Sequence, residues 1–412
     1  MERVVITGMG AITPLGNDVE TFWTRLVRGD SGISSIDAFD TTRFKVKIAG
    51  IVRDFDADTL LGPKEARRMD RFSQFALAAA DQALADSRID LNQINKERLG
   101  VYVGSGIGGI QTLMDQQALL SQRGPDRVSP TLVPMMISNM AAALISIRLG
   151  ALGSSLSPVT ACSIGNTAIG EAFYQIQSGR ADVLFAGGSD AAITEISLAS
   201  FTKATALSAR NDEPERASRP FDAGRDGFVM AEGAGILVLE SLSHALRRKA
   251  RIHAEVIGYG ASSDAYHMVA TPSEGHGAYR AMKLALQEAG IKPNQVDVIS
   301  AHATSTEVGD KSETAAIKNM FGEDAYRIPV TANKSMTGHM FGAAGGVEAI
   351  ALVKSLQTGI IPPTINQQEK DEDCDLDYVP NVARAANLTV GMSNSFGFGG
   401  HNAVIILKKY NE

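Results

Sequence analysis

Short apolar runs rich in β-branched residues alternate along the chain with longer segments of helical periodicity. Such alternation is typical of α/β layers built on mixed sheets. The segment 66–87 is the clearest helix, because its apolar side chains recur at helical spacing. The predicted strands are residues 4–7, 99–103, 183–186, 235–240, 254–260, 296–301 and 403–408, and the predicted helices are residues 71–85, 165–177, 278–289, 312–320 and 345–357.

Two parts of the chain share a local plan, on either side of the basic stretch 248–251. In each part, a strand leads into a small-residue turn and then into a helix rich in small residues. The first instance runs through residues 159–177, and the second runs through residues 330–357. This hint of internal duplication predicts two halves, residues 1–249 and residues 250–412.

The overall charge argues against one large class of partner. With a formal net charge of −7, the chain lacks the basic character of a nucleic-acid-binding domain. No apolar run reaches membrane-spanning length, and the first residues lead into a strand rather than a secretion signal. The two cysteines are too few for a disulfide framework. We therefore expect a cytoplasmic protein that binds neither nucleic acid nor membrane.

Cys162 follows an apolar strand and precedes a helix that begins with small residues, in the segment TACSIG at 160–165. A thiol at a helix N-terminus meets free backbone N–H groups and the positive end of the helix dipole. Both favour the reactive thiolate, so Cys162 is the candidate nucleophile. A lone cysteine is as often a small buried hydrophobic residue, so the hypothesis depends on its partners. Cys374 lies among carboxylates that disfavour its thiolate, and we expect it to be inert.

Two of the seven histidines, His302 and His339, lie in unusual settings. His302 directly follows a predicted strand and opens a small polar loop, where α/β proteins place site residues. His339 lies in a loop rich in glycine and alanine, shortly after Lys334. A buried lysine requires a carboxylate partner, which Glu348 or Glu313 could supply. A single histidine is more often structural, and the spacing does not suit zinc, so no metal is expected.

A glycine-rich loop, NSFGFGGHN at 394–402, precedes the last predicted strand. Its glycines allow backbone N–H groups to approach a ligand and allow the ring of Phe398 to swing. The loop could therefore supply an oxyanion donor and a gate, or it could be simply a tight turn. It is not a dinucleotide-binding motif, because no helix follows it.

Together these segments resemble the β-ketoacyl-acyl-carrier-protein synthases, and they are most similar to the elongating enzymes of bacterial type II fatty acid synthesis. The resemblance extends over essentially the whole chain. It implies an α/β, thiolase-like fold of five layers, αβαβα, with two pseudo-symmetric halves, the first carrying the cysteine and the second the histidines and the lysine. The similar motifs are VITGMG at 5–10, GSGIGG at 104–109, SRPFD at 218–222, RDGFV at 225–229, DAYH at 264–267, KSMTGH at 334–339 and GFGGHN at 397–402.

The resemblance implies an acyltransferase that needs no cofactor. Cys162 would accept an acyl chain, and a decarboxylative Claisen condensation with malonyl-acyl carrier protein would extend that chain by two carbons. His302 and His339 would promote decarboxylation, Lys334 would order the site, and Phe398 would act as gate and oxyanion donor. The implied substrate contacts are Ile107, Phe201, Asp264, His267, Thr304, Thr306, Phe396 and Gly399, and the supporting carboxylates are Asp310, Glu313 and Glu348.

The implied partner is acyl carrier protein, loaded with an acyl or a malonyl group. Lys64, Arg67 and Arg68 match the family's basic patch that docks this acidic protein, although a solvated helix start would have the same composition. Residues 129–140 match a region that reaches toward the acyl pocket of a partner subunit. A homodimer is therefore expected.

Three positions depart from the family's usual pattern. Ala303 follows His302 where glycine is common, Ile164 is bulkier than usual, and Ala231 replaces a glycine. These changes remove no catalytic group, so we expect them to affect the range of substrates. Two alternatives remain: a ketosynthase of a type II polyketide pathway, with the same residues, or a catalytically silent partner subunit resembling a chain-length factor, against which the retained catalytic residues argue.

Overall fold

The computed structural model describes residues 1–411 of the chain. Each predicted strand has a counterpart, and several are longer than predicted. The strands are β1 (Val4–Ile12), β2 (Ile33–Ser35), β3 (Ile48–Gly50), β4 (Leu99–Gly104), β5 (Ser155–Leu156), β6 (Val183–Asp190), β7 (Gly233–Ser241), β8 (Ala254–Ser263), β9 (Val298–Ser300), β10 (Val330–Thr331), β11 (Ile360–Ile361), β12 (Arg384–Ala385), β13 (Val390–Gly397) and β14 (His401–Lys408).

Each predicted helix also has a counterpart. The helices are α1 (Val19–Arg28), α2 (Ala57–Leu61), α3 (Pro63–Ala66), α4 (Arg71–Ser87), α5 (Ile110–Arg123), α6 (Leu132–Met136), α7 (Met140–Leu149), α8 (Ile164–Gln177), α9 (Glu195–Lys203), α10 (Leu242–Arg247), α11 (His276–Ala289), α12 (Glu307–Phe321), α13 (Lys334–Thr337) and α14 (Ala344–Thr358).

The strand expected directly before Cys162 is a wrong prediction. The nearest strand, β5, ends at Leu156, and residues 157–160 have no regular secondary structure. Pro158 lies in this stretch, and proline has no N–H to donate to a sheet. The chain therefore reaches Cys162 as an irregular segment.

Ten strands form one mixed sheet in the order β10-β9-β13-β14-β8-β1-β7-β6-β4-β5. β1, β7 and β6 pair antiparallel in succession, and β6, β4 and β5 then pair parallel. β8, β14 and β13 repeat the antiparallel pattern, and β13, β9 and β10 repeat the parallel one. The repeat is the pseudo-symmetry that the resemblance implies. The division at residue 249 stays a prediction, because β1 and β8 also pair and the sheet continues across it.

The helices complete the five layers of the predicted αβαβα fold. α4 packs on β1 and β7 and against α7, whereas α11 packs on β8 and β14 and against α12. α8 and α14 contact each other and lie between the two halves of the sheet. Their starts approach closely, because a Cβ on Gly165 would lie 2.3 Å from the backbone nitrogen of Gly346.

Residues 1–411 contain no helix that combines the length and the apolar character needed to cross a membrane.

Candidate active site

Cys162 lies in the 3-10 turn Ala161–Ser163, directly before α8. Ala161 has a φ of 51°, a left-handed conformation that costs energy for a residue with a Cβ. The turn is closed by Ser163, whose N–H and hydroxyl donate to the carbonyl oxygen of Thr160 at 3.1 Å and 2.7 Å. The predicted position of the thiol at a helix start is confirmed.

Burial raises the pKa of the Cys162 thiol to about 12. The charge of Lys334 and the backbone N–H groups of Phe398 and of Cys162 itself oppose this rise, whereas Asp190 adds to it. The expectation of a ready thiolate is therefore wrong for the free site, because lost hydration outweighs the helix start. The thiol is protonated at neutral pH.

His302 and His339 come together from separate loops of the second half. His302 follows β9 and His339 follows α13, and their ring centroids are 5.6 Å apart with the planes nearly perpendicular. Burial lowers the pKa of both imidazoles well below its usual range, and the charge of Lys334 lowers it further. Both rings are therefore neutral at physiological pH.

Lys334 is almost fully buried and forms an ion pair with Glu348 of α14. Its carbonyl oxygen accepts a hydrogen bond from the hydroxyl of Ser218 at 2.7 Å. Burial raises the pKa of Glu348 to about 7, and the ammonium group of Lys334 opposes that rise. Of the two carboxylates that the sequence allowed, Glu348 is thus the partner of Lys334.

The other two supporting carboxylates lie on α12 and hold the loop after His302. Glu313 accepts hydrogen bonds from the N–H groups of His302 at 2.9 Å and Ala303 at 2.8 Å. Asp310 accepts the N–H of Ser305 at 3.1 Å. Burial raises the pKa of both carboxyl groups, to about 7 for Asp310. These contacts fix the backbone on which His302 is carried.

The glycine-rich loop forms a 3-10 turn, Phe398–Gly400, between β13 and β14. Its two glycines have φ values of 80° and 74°, which favour glycine. A Cβ on Gly397 would lie 2.9 Å from the backbone nitrogen of Cys162, so glycine is needed for this approach. The ring of Phe398 is 40% exposed and lies 6.4 Å from that of Phe201.

A second loop is hydrogen-bonded to this turn. The N–H of Asp264 donates to the carbonyl oxygen of Gly400 at 2.9 Å, and the N–H of Gly399 donates to that of Met268 at 2.8 Å. His267 accepts two backbone N–H groups further along its own loop, at 3.1 Å and 3.0 Å. His267 therefore orders this loop.

One cavity of about 390 Å³ brings the candidate residues together. Gly399 and His267 are not part of its wall, although the family resemblance implies that they contact the substrate. Within residues 1–411, no group of three or more His, Cys, Asp and Glu side chains is arranged to hold a metal ion. The candidate residues in the wall are Cys162, His302, His339, Phe398, Glu313, Ile107, Phe201, Asp264, Thr304, Thr306 and Phe396.

Two further aromatic residues in the wall were missed by the sequence analysis. Phe228 and Phe341 enclose His339, with ring centroids 5.5 Å and 5.1 Å from the imidazole. Phe228 lies in the segment RDGFV, and Phe341 lies two residues after His339. Both lie within or beside motifs that the family resemblance already includes, and this proximity in sequence is the signal that could have identified them.

None of the three departures lines the cavity. Ala303 has a φ of 36° where the family commonly has glycine, so its backbone is strained. Ile164 packs beneath the site, 3.1 Å from where a Cβ on Gly342 would lie. Ala231 is buried and donates its N–H to the carbonyl oxygen of His339 at 2.9 Å. An effect of these residues on substrate range would therefore be indirect.

The predicted docking residues lie on the surface, away from the cavity wall. Lys64 is in α3, Arg67 and Arg68 follow it directly, and all three side chains are exposed. In the region matched to a subunit interface, Val133 is 58% exposed and Ile137 is 37% exposed.

Comparison with known proteins agrees with this geometry. Residues 1–245 match the family described as "Beta-ketoacyl synthase, N-terminal domain", and residues 253–368 match "Beta-ketoacyl synthase, C-terminal domain". The chain is 50% identical over 409 residues to the 3-oxoacyl-[acyl-carrier-protein] synthase 2 of Synechocystis sp., covering 99% of this chain and 98% of the relative.

Solved structures share the fold over the full chain. A beta-ketoacyl synthase from Burkholderia phymatum has a TM-score of 0.93 and 35% identity, with 100% of each chain covered. A second match is a chain of the AntDE:AntF complex, described as a type II PKS acyl-carrier protein in complex with its ketosynthase. It has a TM-score of 0.92 and 36% identity, again with 100% of each chain covered. With both family domains matched and half of the residues shared with a full-length relative, this chain belongs to the beta-ketoacyl synthase family and has its thiolase-like fold.

Proposed function

We propose that this chain is a β-ketoacyl-acyl-carrier-protein synthase of fatty acid biosynthesis, which extends an acyl chain by two carbons through decarboxylative Claisen condensation. The observation that carries the proposal is the convergence of Cys162, His302 and His339 on one cavity, with the charge of Lys334 behind them. The 50% identity to a 3-oxoacyl-[acyl-carrier-protein] synthase 2 supports the fatty acid pathway. Both cysteines are free thiols, which suits a reducing cytoplasm.

In the first stage, the sulfur of Cys162 attacks the thioester carbonyl of an acyl-loaded carrier protein. The carbon–sulfur bond to the carrier breaks, and the carrier's thiol leaves with the proton that Cys162 gives up. Charge develops on the carbonyl oxygen during attack, and the N–H groups of Cys162 and Phe398 stabilise it there. The same two N–H groups already stabilise negative charge on the sulfur.

In the second stage, the carbonyl oxygen of a malonyl thioester accepts hydrogen bonds from Nε2–H of His302 and His339. The malonyl carboxylate leaves as carbon dioxide, and its bonding electrons form an enolate that these donors hold. The enolate attacks the acyl carbon, a carbon–carbon bond forms, and the thiolate of Cys162 leaves and takes a proton from solvent. Neutral imidazoles suit this role, because each has an N–H to donate and the step requires no proton transfer to or from the ring.

The ion pair of Lys334 with Glu348 supports this second stage. A buried cation near both rings disfavours imidazolium, so the histidines stay as neutral donors. Thr304 and Thr306 line the same cavity, with their hydroxyl oxygens 3.1 Å apart, and could contact the carrier's polar arm.

The ring of Phe398 acts as a gate in this proposal. It is the most exposed aromatic side chain of the cavity wall, and glycine flanks it on both sides. The loop that begins at Asp264 is hydrogen-bonded to the same turn, so the two segments move together when the gate opens.

Acyl carrier protein is the proposed partner, and the patch of Lys64, Arg67 and Arg68 is the proposed docking site. An acidic partner would be attracted to three exposed cations on one short segment. Charge reversal by Arg67→Glu or Arg68→Glu should weaken carrier binding about tenfold at low salt, measured by titration calorimetry. Arg327→Glu, another exposed arginine, is the control, and unchanged binding by both patch variants would contradict the assignment.

A second copy of this chain is the proposed occupant of the edge at β5. This edge strand ends the ten-stranded sheet, and large apolar side chains around it are exposed, Leu152 by 71% and Ile147 by 74%. An exposed apolar sheet edge is a template for pairing, and a twofold axis would place β5 beside its own copy. Ile147→Asp should give a monomer in light scattering after size exclusion, and a retained dimer would contradict this interface.

A two-stage assay tests the proposed activity. Incubation with an acyl-loaded carrier should add the acyl mass to the peptide that contains Cys162, read by mass spectrometry. Addition of malonyl-loaded carrier should release carbon dioxide and a β-ketoacyl product two carbons longer. An enzyme that forms no acyl adduct, or forms it on Cys374, would overturn the proposal. A polyketide ketosynthase would differ by repeating the condensation without reduction of the keto group.

A further inference from the structure

A fully buried carboxylate beside the site has no part in the mechanism above. Asp190 is the last residue of β6, and its side chain has no exposed surface. Burial raises the pKa of this carboxyl group, and hydrogen bonds from Ser105 and from the backbone act against the rise. Such a group is expensive to bury, so its contacts indicate what it is for.

Four hydrogen-bond donors surround this carboxylate. Oδ1 accepts the hydroxyl of Ser105 at 2.6 Å and the N–H of Ile107 at 3.1 Å. Oδ2 accepts the N–H of Gly106 at 3.0 Å and that of Gly342 at 2.7 Å. An ionised carboxylate accepts on both oxygens, and three of these four donors are backbone N–H groups, which cannot accept a hydrogen from a protonated carboxyl group. The arrangement therefore holds Asp190 as the anion.

These donors belong to both halves of the molecule. Gly106 and Ile107 follow β4 and form part of the cavity wall in the first half. Gly342 belongs to the turn before α14 in the second half, next to the wall residue Phe341. A Cβ on Gly342 would lie 2.7 Å from Oδ2 of Asp190, so this contact depends on glycine. One carboxylate thus joins two walls of the cavity.

We propose that Asp190 is a positioning residue of the acyl pocket: it holds Ile107 against the turn at Gly342 and so sets how long an acyl chain on Cys162 can be. This inference rests on the proposed function. A chain that ends before Ile107 does not depend on the contact, whereas a chain that passes Ile107 needs that side chain in a defined place.

Asp190→Asn tests the contact with little change of volume. The amide keeps one acceptor oxygen, but its NH2 group would face the N–H groups of Gly106 and Gly342 in one orientation and that of Ile107 in the other, and two donors cannot pair. Asp190→Glu keeps both acceptor oxygens. Asp222→Asn is the matched control, because Asp222 is also fully buried and accepts backbone N–H groups at 2.6 Å, 2.7 Å and 2.9 Å from residues outside the cavity wall.

The readout is kcat/KM across a series of acyl chain lengths. We expect Asp190→Asn to lower kcat/KM for chains that pass Ile107 about tenfold more than for short chains, because hydrogen bonds to a charged group are lost. Asp190→Glu should restore most of the long-chain activity, and Asp222→Asn should affect all lengths equally. Equal losses at every length in Asp190→Asn, or no loss, would overturn the inference.

Ser105→Ala serves if Asp190→Asn does not fold. It removes one donor to Oδ1 and leaves the carboxylate in place, so the same selective loss of long chains is expected at a smaller size. A loss that does not depend on chain length would again overturn the inference. A wild-type enzyme that condenses no chain at all would instead contradict the proposed function, so the two failures are distinct.

The reactivity of Cys162 gives a second, independent readout. The negative charge of Asp190 adds to the raised pKa of the Cys162 thiol. Removal of that charge in Asp190→Asn should therefore speed alkylation of Cys162 by iodoacetamide at fixed pH. Asp222→Asn should leave the rate unchanged. An unchanged or slower rate in Asp190→Asn would place the carboxylate away from the reacting sulfur and contradict its position behind the cavity wall.

Discussion

The two halves of the molecule each contain one tight turn before a buried helix, and the two turns have a similar backbone. Ala161–Ser163 leads into α8, and Phe341–Ala343 leads into α14. The first residues of the two turns have φ values of 51° and 49°. Both helices begin directly after the turn, and they meet at glycine in the middle layer. The duplication predicted from the sequence is therefore clearest here.

The turns differ at their second residue, which is Cys162 in one half and Gly342 in the other. The N–H of Gly342 is held by Asp190, whereas the N–H of Cys162 stabilises the charge of its own sulfur. A strained turn before a helix thus places its second residue at the helix start, but it does not by itself make that residue reactive. The reaction requires a thiol beside donors that face the cavity, and the second half uses its turn to fasten the wall.

Cys162→Ala makes the first turn as unreactive as the second and has the largest expected effect. Condensation should fall by about a thousandfold or more, because no covalent intermediate can form. Decarboxylation of malonyl carrier protein should persist, since the histidines and Lys334 are untouched. Product analysis by chromatography measures both, with Cys374→Ala as the control. Unchanged condensation in Cys162→Ala would show that the thiol does not distinguish the first turn from the second.

Removal of either histidine should separate the two half-reactions. In His302→Ala and His339→Ala, Cys162 should still accept an acyl group, but release of carbon dioxide should fall about a hundredfold or more, the effect of losing one oxyanion donor. Mass spectrometry follows the first step, and trapped carbon dioxide follows the second. Normal turnover of the malonyl substrate would show that the second half does not act in this way.

Gly342→Ala tests whether the second turn serves as a fastening. The added Cβ would lie 2.7 Å from Oδ2 of Asp190, so we expect a loss of about 1–3 kcal/mol in the free energy of unfolding, as for overpacking. Denaturant titration measures it. Gly290→Ala gives the cost of left-handed backbone strain without a clash, because Gly290 has a φ of 64° and its Cβ would meet nothing within 4 Å, whereas Gly342 does not have a positive φ. An undiminished free energy of unfolding in Gly342→Ala would argue against a tight contact there.

Lys334→Met should make the second stage sensitive to acid. Burial lowers the pKa of both histidines and the charge of Lys334 lowers it further, so removal of that charge raises the pKa while burial still opposes the rise. As pH falls, the variant's histidines should gain protons before those of the wild type, so its decarboxylation should decline at a higher pH. Glu348 would be neutral in the variant. Parallel pH profiles would disprove this role.

Ala161→Gly has the smallest expected effect. A residue with a Cβ at a φ of 51° costs about 1–2 kcal/mol, and the extra flexibility of glycine offsets about half of that. The free energy of unfolding should therefore rise by about 0.5 kcal/mol. Phe341→Gly relaxes the equivalent strain but removes a buried ring, so it should lower stability instead. A loss in Ala161→Gly would mean that the turn is not strained.

Much of the fold could be predicted because its strands are apolar runs and its helices are periodic. β13 was missed, since its buried Ser393, Asn394 and Ser395 are polar and break the apolar pattern of a central strand. α1 was missed despite a recognisable signal, an aspartate cap at Asp18 and a left-handed glycine at Gly29. β13 could not be predicted from its pattern of apolar residues, whereas α1 could have been predicted from its cap residues.

The candidate site divides in the same way. Cys162, His302, Lys334 and His339 were found from their local setting and from the family resemblance, and the cavity joins three of them. The raised pKa of the thiol could not be predicted, because burial is set by segments far apart in the chain. Asp190 was missed for the same reason, since its donors come from two distant loops.

The proposed gate, the turn Phe398–Gly400, has a very short reach. β13 and β14 stay paired up to Gly397 and His401, so on these two strands only the turn of three residues is free to move, together with the loop that is hydrogen-bonded to it. Three extended residues span at most about 10 Å, and rearrangements of so short a tip occur within about a microsecond. Opening and closing of the gate would then be faster than the chemical steps and would not limit turnover. The turnover rate would instead be limited by the dissociation of one carrier protein and the binding of the next.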